Sequence, residues 1–171
     1  MGQRNTGESV FEEFAANAET YGVTVSTHTP EEVESALASC VEAPAVGTPL
    51  PFDGVSLPAE VQTDPTPSQL RDATTGVTPA SLAIASYGTL VLRADEHGSE
   101  PVSLFNDLHV AVVRAADIVP DMSTAFEYLG DELRDTRDSA ILATGPSATA
   151  DMGALVQGAH GPKRVEVLVV T

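Results

Sequence analysis

Two short loops near the end of the sequence hold the residue types from which a small-molecule site is built. They are Thr144-Gly145-Pro146-Ser147 and Gly158-Ala159-His160-Gly161-Pro162. Glycine lets backbone approach a ligand closely. The hydroxyl of Ser147 or Thr149 can cap a helix that follows, whose free N–H groups would then receive an anion. Asp151 falls in the first turn of that expected helix, where the dipole favours a carboxylate by ~0.3–1 kcal/mol. The bland alternative is a turn with a cap and no ligand. His160, between Gly158 and Gly161, is placed for proton transfer or ligand contact, or is a plain turn residue. His109 stands in an apolar run two residues after Asp107, so the two would share one face of a strand. A lone strand histidine is most simply a core residue bonded to its surroundings. A metal would need a third ligand, such as His160, and no metal site is assigned. The candidate catalytic residues are therefore His160, Asp151 and His109.

The familiar catalytic signatures are missing: no Gly-x-Gly-x-x-Gly, no Walker loop, no Gly-x-Ser-x-Gly, no His-Glu-x-x-His and no Cys-x-x-Cys. Cys40 is the single cysteine among 171 residues, which excludes an internal disulfide and any cysteine-ligated cluster or zinc finger held by this chain alone.

Charge narrows the field further. Asp and Glu number 25 against 8 Lys and Arg, a net charge of -17, with the acids spread in ones and twos. Such a surface repels nucleic acid and anionic membranes. It fits life in molar salt, where a Debye length of ~3 Å screens self-repulsion, and is of halophilic archaeal type. No apolar run approaches the ~20 residues of a membrane helix. The first residues show no apolar leader, so a cytoplasmic location is expected.

The elements that must position the loops can be read in order. At this length one domain over 1–171 is expected. A capping box at Ser9–Glu12 and apolar residues at helical spacing predict a helix over 9–21. Residues 23–28 alternate as a strand. Thr29-Pro30 opens a helix to about Cys40. Prolines dominate 41–66, with extended pieces near 43–46 and 55–57. The same cap logic predicts helices starting at Thr66-Pro67 and at Thr78-Pro79, the latter carrying Leu82 and Ile84. Gly88–Arg93 reads as a strand, followed by a polar turn over 94–99. Leu108–Val113 is a near-continuous apolar strand of the kind buried on both faces, with Ile118-Val119 as its continuation. Residues 121–134 form a helix, and 140–170 read as strand, loop, short helix, loop, strand. Helices alternating with buried strands give an α/β fold with a mostly parallel sheet. Loops at strand ends are where such sheets hold ligands.

At these residues the sequence resembles a known family. Thr144-Gly-Pro-Ser-Ala-Thr-Ala-Asp-Met152, Gly158-Ala-His-Gly-Pro162 and Val165–Val170 are similar to the C-terminal signature of the LUD-domain family, that of lactate utilisation protein C. Gly76–Leu92 resembles its glycine-threonine strand, and Leu108–Val113 with Ile118-Val-Pro120 its central segment. The match covers 74–171; residues 1–73 agree only in α/β character. The resemblance implies a three-layer α/β/α fold of the NagB/RpiA/CoA-transferase-like type. It implies ligand-binding roles for Gly88, Thr89, Gly145, Pro146, Ser147, Thr149 and Gly161. It also implies a non-cluster subunit of a system that oxidises L-lactate to pyruvate. Iron–sulfur clusters would then sit in partner subunits, with a small carboxylate as a ligand, and a homo-oligomer is compatible with it. The alternative is a self-sufficient CoA-transferase-like enzyme, or a protein binding a small carboxylate or acyl-CoA. Two departures bear on this. Ser86-Tyr87 stands where the family commonly has an acidic residue, which weighs against a carboxylate nucleophile. Ala148 stands where an arginine is common, so Arg93 or Arg114 would have to supply a carboxylate clamp.

Overall fold

Strands buried on both faces must be apolar at nearly every position, and the two longest strands meet that condition. Every residue of Leu108–Val113 is buried, as are Val165 and Val167–Val170. A computed structural model describes residues 6–136, 138–151 and 154–171. In chain order the elements are α1 (Thr6–Thr20), β1 (Thr24–His28), α2 (Pro30–Cys40), β2 (Ala45–Gly47), β3 (Val61–Thr63), α3 (Pro67–Asp72), β4 (Thr75–Pro79), β5 (Leu82–Ile84), β6 (Thr89–Arg93), α4 (Ser99–Leu104), β7 (Leu108–Arg114), β8 (Ile118–Val119), α5 (Met122–Thr136), β9 (Ala140–Ala143), β10 (Ala148–Asp151), β11 (Ala154–Gln157) and β12 (Arg164–Val170).

The central sheet has six strands in the order β1-β12-β7-β4-β2-β3, and every neighbouring pair is parallel. This is the expected α/β class. A second sheet, β8-β5-β6-β9, is mixed. The period of two sorts β7 between two cores. Leu108, Val110 and Val112 pack with Val33 and Leu37 of α2. Ala111 and Val113 turn the other way, toward Leu90 and Leu92 of the second sheet and Phe14 and Ala18 of α1. Helix α5 covers the far face of that sheet, with Ala125 and Leu129 against Leu82, Ile84 and Val91.

Two helix starts form as their caps dictate. Glu32 accepts from the Thr29 N–H at 2.9 Å. Thr66 and Gln69 close a reciprocal box, with Gln69 N donating to Thr66 Oγ1 and Thr66 N donating to Gln69 Oε1. The third expected start, Thr78-Pro79, does not form a helix. Thr78 lies in β4, Pro79 ends it, and Leu82–Ile84 form β5. A proline suits a strand end as well as a first helical turn. Burial of Thr75 to Thr78 inside the sheet decides the matter. The helix expected after Ser147 is likewise absent, and β10 and β11 pair as an antiparallel hairpin. Ile118-Val119 does not extend β7; it pairs with β5 in the second sheet. In the proline-rich region the second short strand is Val61–Thr63 rather than near 55–57, and Ser99–Leu104 adds a helix the sequence pattern did not show.

Candidate ligand-binding site

The second core is incompletely filled at the amino ends of β7 and β12. There a cleft of about 340 Å³ opens between the two sheets. His109, Val165 and Val167 line it from the parallel sheet, and Leu90, Leu92, Ile141 and Ala143 from the second sheet. Gly145, Pro146 and Ser147 line it from the first loop, and His160, Gly161 and Pro162 from the second. Ser103 and Leu104 of α4 contribute as well.

The two loops form one unit. Ser147 N donates to Pro162 O at 2.8 Å, and Gly158 N donates to Ser147 O at 2.9 Å. These bonds root the β10–β11 hairpin. Gly145 has φ +68, and a side chain there would put its Cβ 2.7 Å from Tyr21 Cβ. Gly88 has φ +60, and its Cβ would fall 2.4 Å from Ala18 N. Both glycines serve first to let α1 and the turn after it close against the cleft's wall.

His109 is the buried polar group of the site, 2 % exposed. Its Nε2 and the Thr78 hydroxyl lie 2.8 Å apart. Burial pushes its pKa down to about 4, so the ring is neutral at pH 7. No hydrogen bond links the other ring nitrogen, Nδ1, to a described residue, and it is not one of the fully buried unpartnered atoms, which among the described residues are Arg93 Nε, Asn106 Oδ1 and Glu132 Oε2. Ser103 is also buried, and its Oγ donates to Glu100 O at 2.7 Å. His160 is exposed at the rim.

The structure thus brings Gly88, Gly145, Pro146, Ser147, Gly161, His160 and His109 to one cleft. Thr89 is set apart from it: its hydroxyl bonds that of Thr144 at 2.7 Å, tying β6 to the rim. Thr149 pairs with Val156 in the hairpin, away from the lining. Asp151 ends β10, and its side chain lies outside the described residues. Asp107 is not in the cleft; its carboxylate holds Lys163 Nζ at 2.9 Å on the surface. Among the described residues no three His, Cys, Asp or Glu side chains group as metal ligands. Sequence reasoning missed Ser103 and the apolar walls. The alternation of Leu90 and Leu92, and of Val165 and Val167, was the available signal.

Among the described residues no charged side chain lines this cleft, and with the hairpin in place no helix N-terminus faces it. The two arginines considered as a carboxylate clamp lie at the opposite edge. Arg93 and Arg114 line a second cleft of about 360 Å³ beyond the carboxyl ends of β4 and β7, with Phe52, Ser81, Asp95 and Ser99. Arg93 reaches Glu132 at 2.5 Å and Asp138 at 3.2 Å, and its buried Nε has no hydrogen-bond partner among the described residues. Arg114 is paired with Asp117 at 2.6 Å and lies 5.9 Å from the centre of the Phe52 ring.

Residues 59–170 match the family described as LUD domain. Lactate utilization protein C of Deinococcus radiodurans is 35% identical over 130 residues, covering 72% of this chain and 59% of that protein. The protein of the same name from Bacillus velezensis is 37% identical over 104 residues, 58% of this chain and 43% of its own length. The chain thus spans about half the length of the curated relatives it matches. The crystal structure of a DUF162 family protein from Deinococcus radiodurans superposes with a TM-score of 0.76 at 22% identity, covering 98% of this chain and 100% of that one. It shares the fold.

Proposed function

The chain belongs to the LUD-domain family, and from that premise we propose that it is a lactate-utilisation protein, the subunit without iron–sulfur clusters in a system that oxidises L-lactate to pyruvate. The observation that carries this reading is its 35% identity to a lactate utilization protein C over 72% of its length. Its thiol chemistry fits the division of labour. The single Cys40 is half-buried, and burial pushes its pKa up to about 11, so it is a poor cluster ligand. The redox centres then belong to partner subunits. The surface offers places for them to dock. Strand β9 is an open edge of the second sheet. Its exposed Leu142 shares an apolar groove with Phe126 and Leu133 of α5. Leu155 of the hairpin is 71% exposed. Among the described residues no helix is long and apolar enough to cross a membrane. We place the protein in the cytoplasm of a cell with molar internal salt, on the strength of its net charge of -17.

A self-sufficient CoA-transferase-like enzyme has less support. Ser86 is exposed in the turn before Gly88, and no acidic side chain lines the cleft among the described residues. A covalent acyl intermediate therefore lacks its nucleophile. For a small carboxylate the available cations are Arg93 and Arg114 at the far edge, each already holding acids of its own chain.

Affinity purification in 2 M KCl tests the reading. Cysteine-rich iron–sulfur proteins should co-purify, and deletion of the gene should abolish growth on L-lactate. A solitary protein together with unimpaired lactate growth would contradict it.

A further inference from the structure

We propose that the cleft over His109 binds a compact uncharged molecule, apolar in its body and carrying one carbonyl or hydroxyl oxygen that bonds the imidazole, and that it rejects free carboxylates. This goes beyond the lactate reading and does not depend on it.

The lining decides the body of the ligand. Leu90, Leu92, Ile141, Ala143, Val165 and Val167 present hydrocarbon from both sheets. A volume of about 340 Å³ is at the small end of ligand sites, room for one ring with small substituents.

His109 decides the polar end. Its Nε2 is held by the Thr78 hydroxyl, which can either donate or accept. When Thr78 donates, Nδ1 carries the proton and can donate to a carbonyl. When Thr78 accepts, Nδ1 is bare and can accept from a hydroxyl. Both states are neutral, so one site serves two neutral oxygen chemistries. The same features exclude a carboxylate. No lysine or arginine lines the cleft among the described residues. A carboxylate bonded to His109 would give up its water between the apolar walls with no lysine or arginine beside it, and the other imidazole of the lining, His160, stands exposed at the rim. The surrounding field of a chain at -17 adds to the repulsion at low salt.

Benzamide and benzoate have nearly the same shape and differ in charge, so they separate these terms. Each is titrated into the protein by NMR at pH 7 in 2 M KCl, where the long-range field is screened and only local discrimination remains. Benzamide should shift the signals of His109, Ala143, Ser147 and Val165 at millimolar concentration. Benzoate should need at least a tenfold higher concentration. Ala143→Phe, which fills the cleft from its wall, should abolish the benzamide response. His109→Leu should weaken it tenfold or more. Should His109→Leu fail to fold, the probe pair and Ala143→Phe still decide. Benzoate binding as tightly as benzamide, no response to either, or a response unaltered by Ala143→Phe would overturn the proposal. Those outcomes leave co-purification and lactate growth untouched, so the two readings fail separately.

Discussion

The two edges of the parallel sheet hold clefts of similar size, about 340 and 360 Å³, and opposite character. The one at the carboxyl edge lies where open α/β sheets usually take their ligands, and it carries both arginines. Yet Arg93 is spent on Glu132 and Asp138, and Arg114 on Asp117. In a chain with 25 acids and 8 Lys and Arg, a cation readily finds carboxylates of its own. The cleft at the amino edge has no lysine, arginine or carboxylate among the described residues, and its polar end is the His109 imidazole, held through Nε2 by Thr78. A cation-lined cleft is therefore not by that fact an anion site. The better mark of a ligand here is a polar group that faces a cleft between apolar walls and holds no acid of its own chain.

Substitutions rank the two edges by what each contributes to the fold. The largest effect should come from Gly88→Ala at the amino-edge cleft. A Cβ would meet the α1 backbone at 2.4 Å in a left-handed conformation, and destabilisation of roughly 3 kcal/mol or more is expected from calorimetry in 2 M KCl. A loss below about 1 kcal/mol would mean that α1 does not close on this cleft as described.

Next is the pH response of His109. Its folded pKa, about 4, lies below the ordinary 6.5. The unfolded chain therefore binds the proton more readily between those values. The ring's contribution is fully present above pH 6.5 and is lost as pH falls toward 4, by about 3 kcal/mol. The difference in stability between wild type and His109→Leu, followed from pH 7 to 4, isolates this term from the many surface acids. A flat difference would place the ring in water.

Smaller effects belong to the carboxyl edge. Arg93→Ala unties α5 from the end of β6 and leaves Glu132 poorly matched; about 1–3 kcal/mol is expected, as a lowered Tm. Arg114→Ala removes an exposed pair and should change stability by less than about 1 kcal/mol. If Arg114→Ala cost more than Arg93→Ala, the ranking of the two ion pairs would be reversed.

The sequence made some of this legible for identifiable reasons. Leu108–Val113 and Val165–Val170 are apolar beyond what a helix face needs, so the parallel sheet showed itself. Thr29-Pro30 and Thr66-Pro67 sit beside Glu32 and Gln69 at the capping distance, and both helices form. Thr78-Pro79 carries the same dipeptide, but nothing local tells that its threonine is needed against His109 inside a sheet. The segment after Ser147 misled through its alanines, which permit a helix. Gly153, costly inside a helix by ~1 kcal/mol, was the hint against it. Among the loop residues, Gly145, Ser147 and Gly161 do reach one cleft. Their loops feed the amino end of β12, and the carboxyl-edge cleft is assembled from Phe52, Ser81, Arg93 and Arg114, residues too far apart in the chain for any motif to join.

The most direct test sets the two clefts against each other in one protein. Ala143→Phe and Arg114→Ala, each confirmed folded by its Tm, are titrated with benzamide by NMR at pH 7 in 2 M KCl. Ala143→Phe should lose the benzamide response while Arg114→Ala keeps it unchanged. A response kept in Ala143→Phe, or lost in Arg114→Ala, would contradict the assignment of the ligand site to the amino edge.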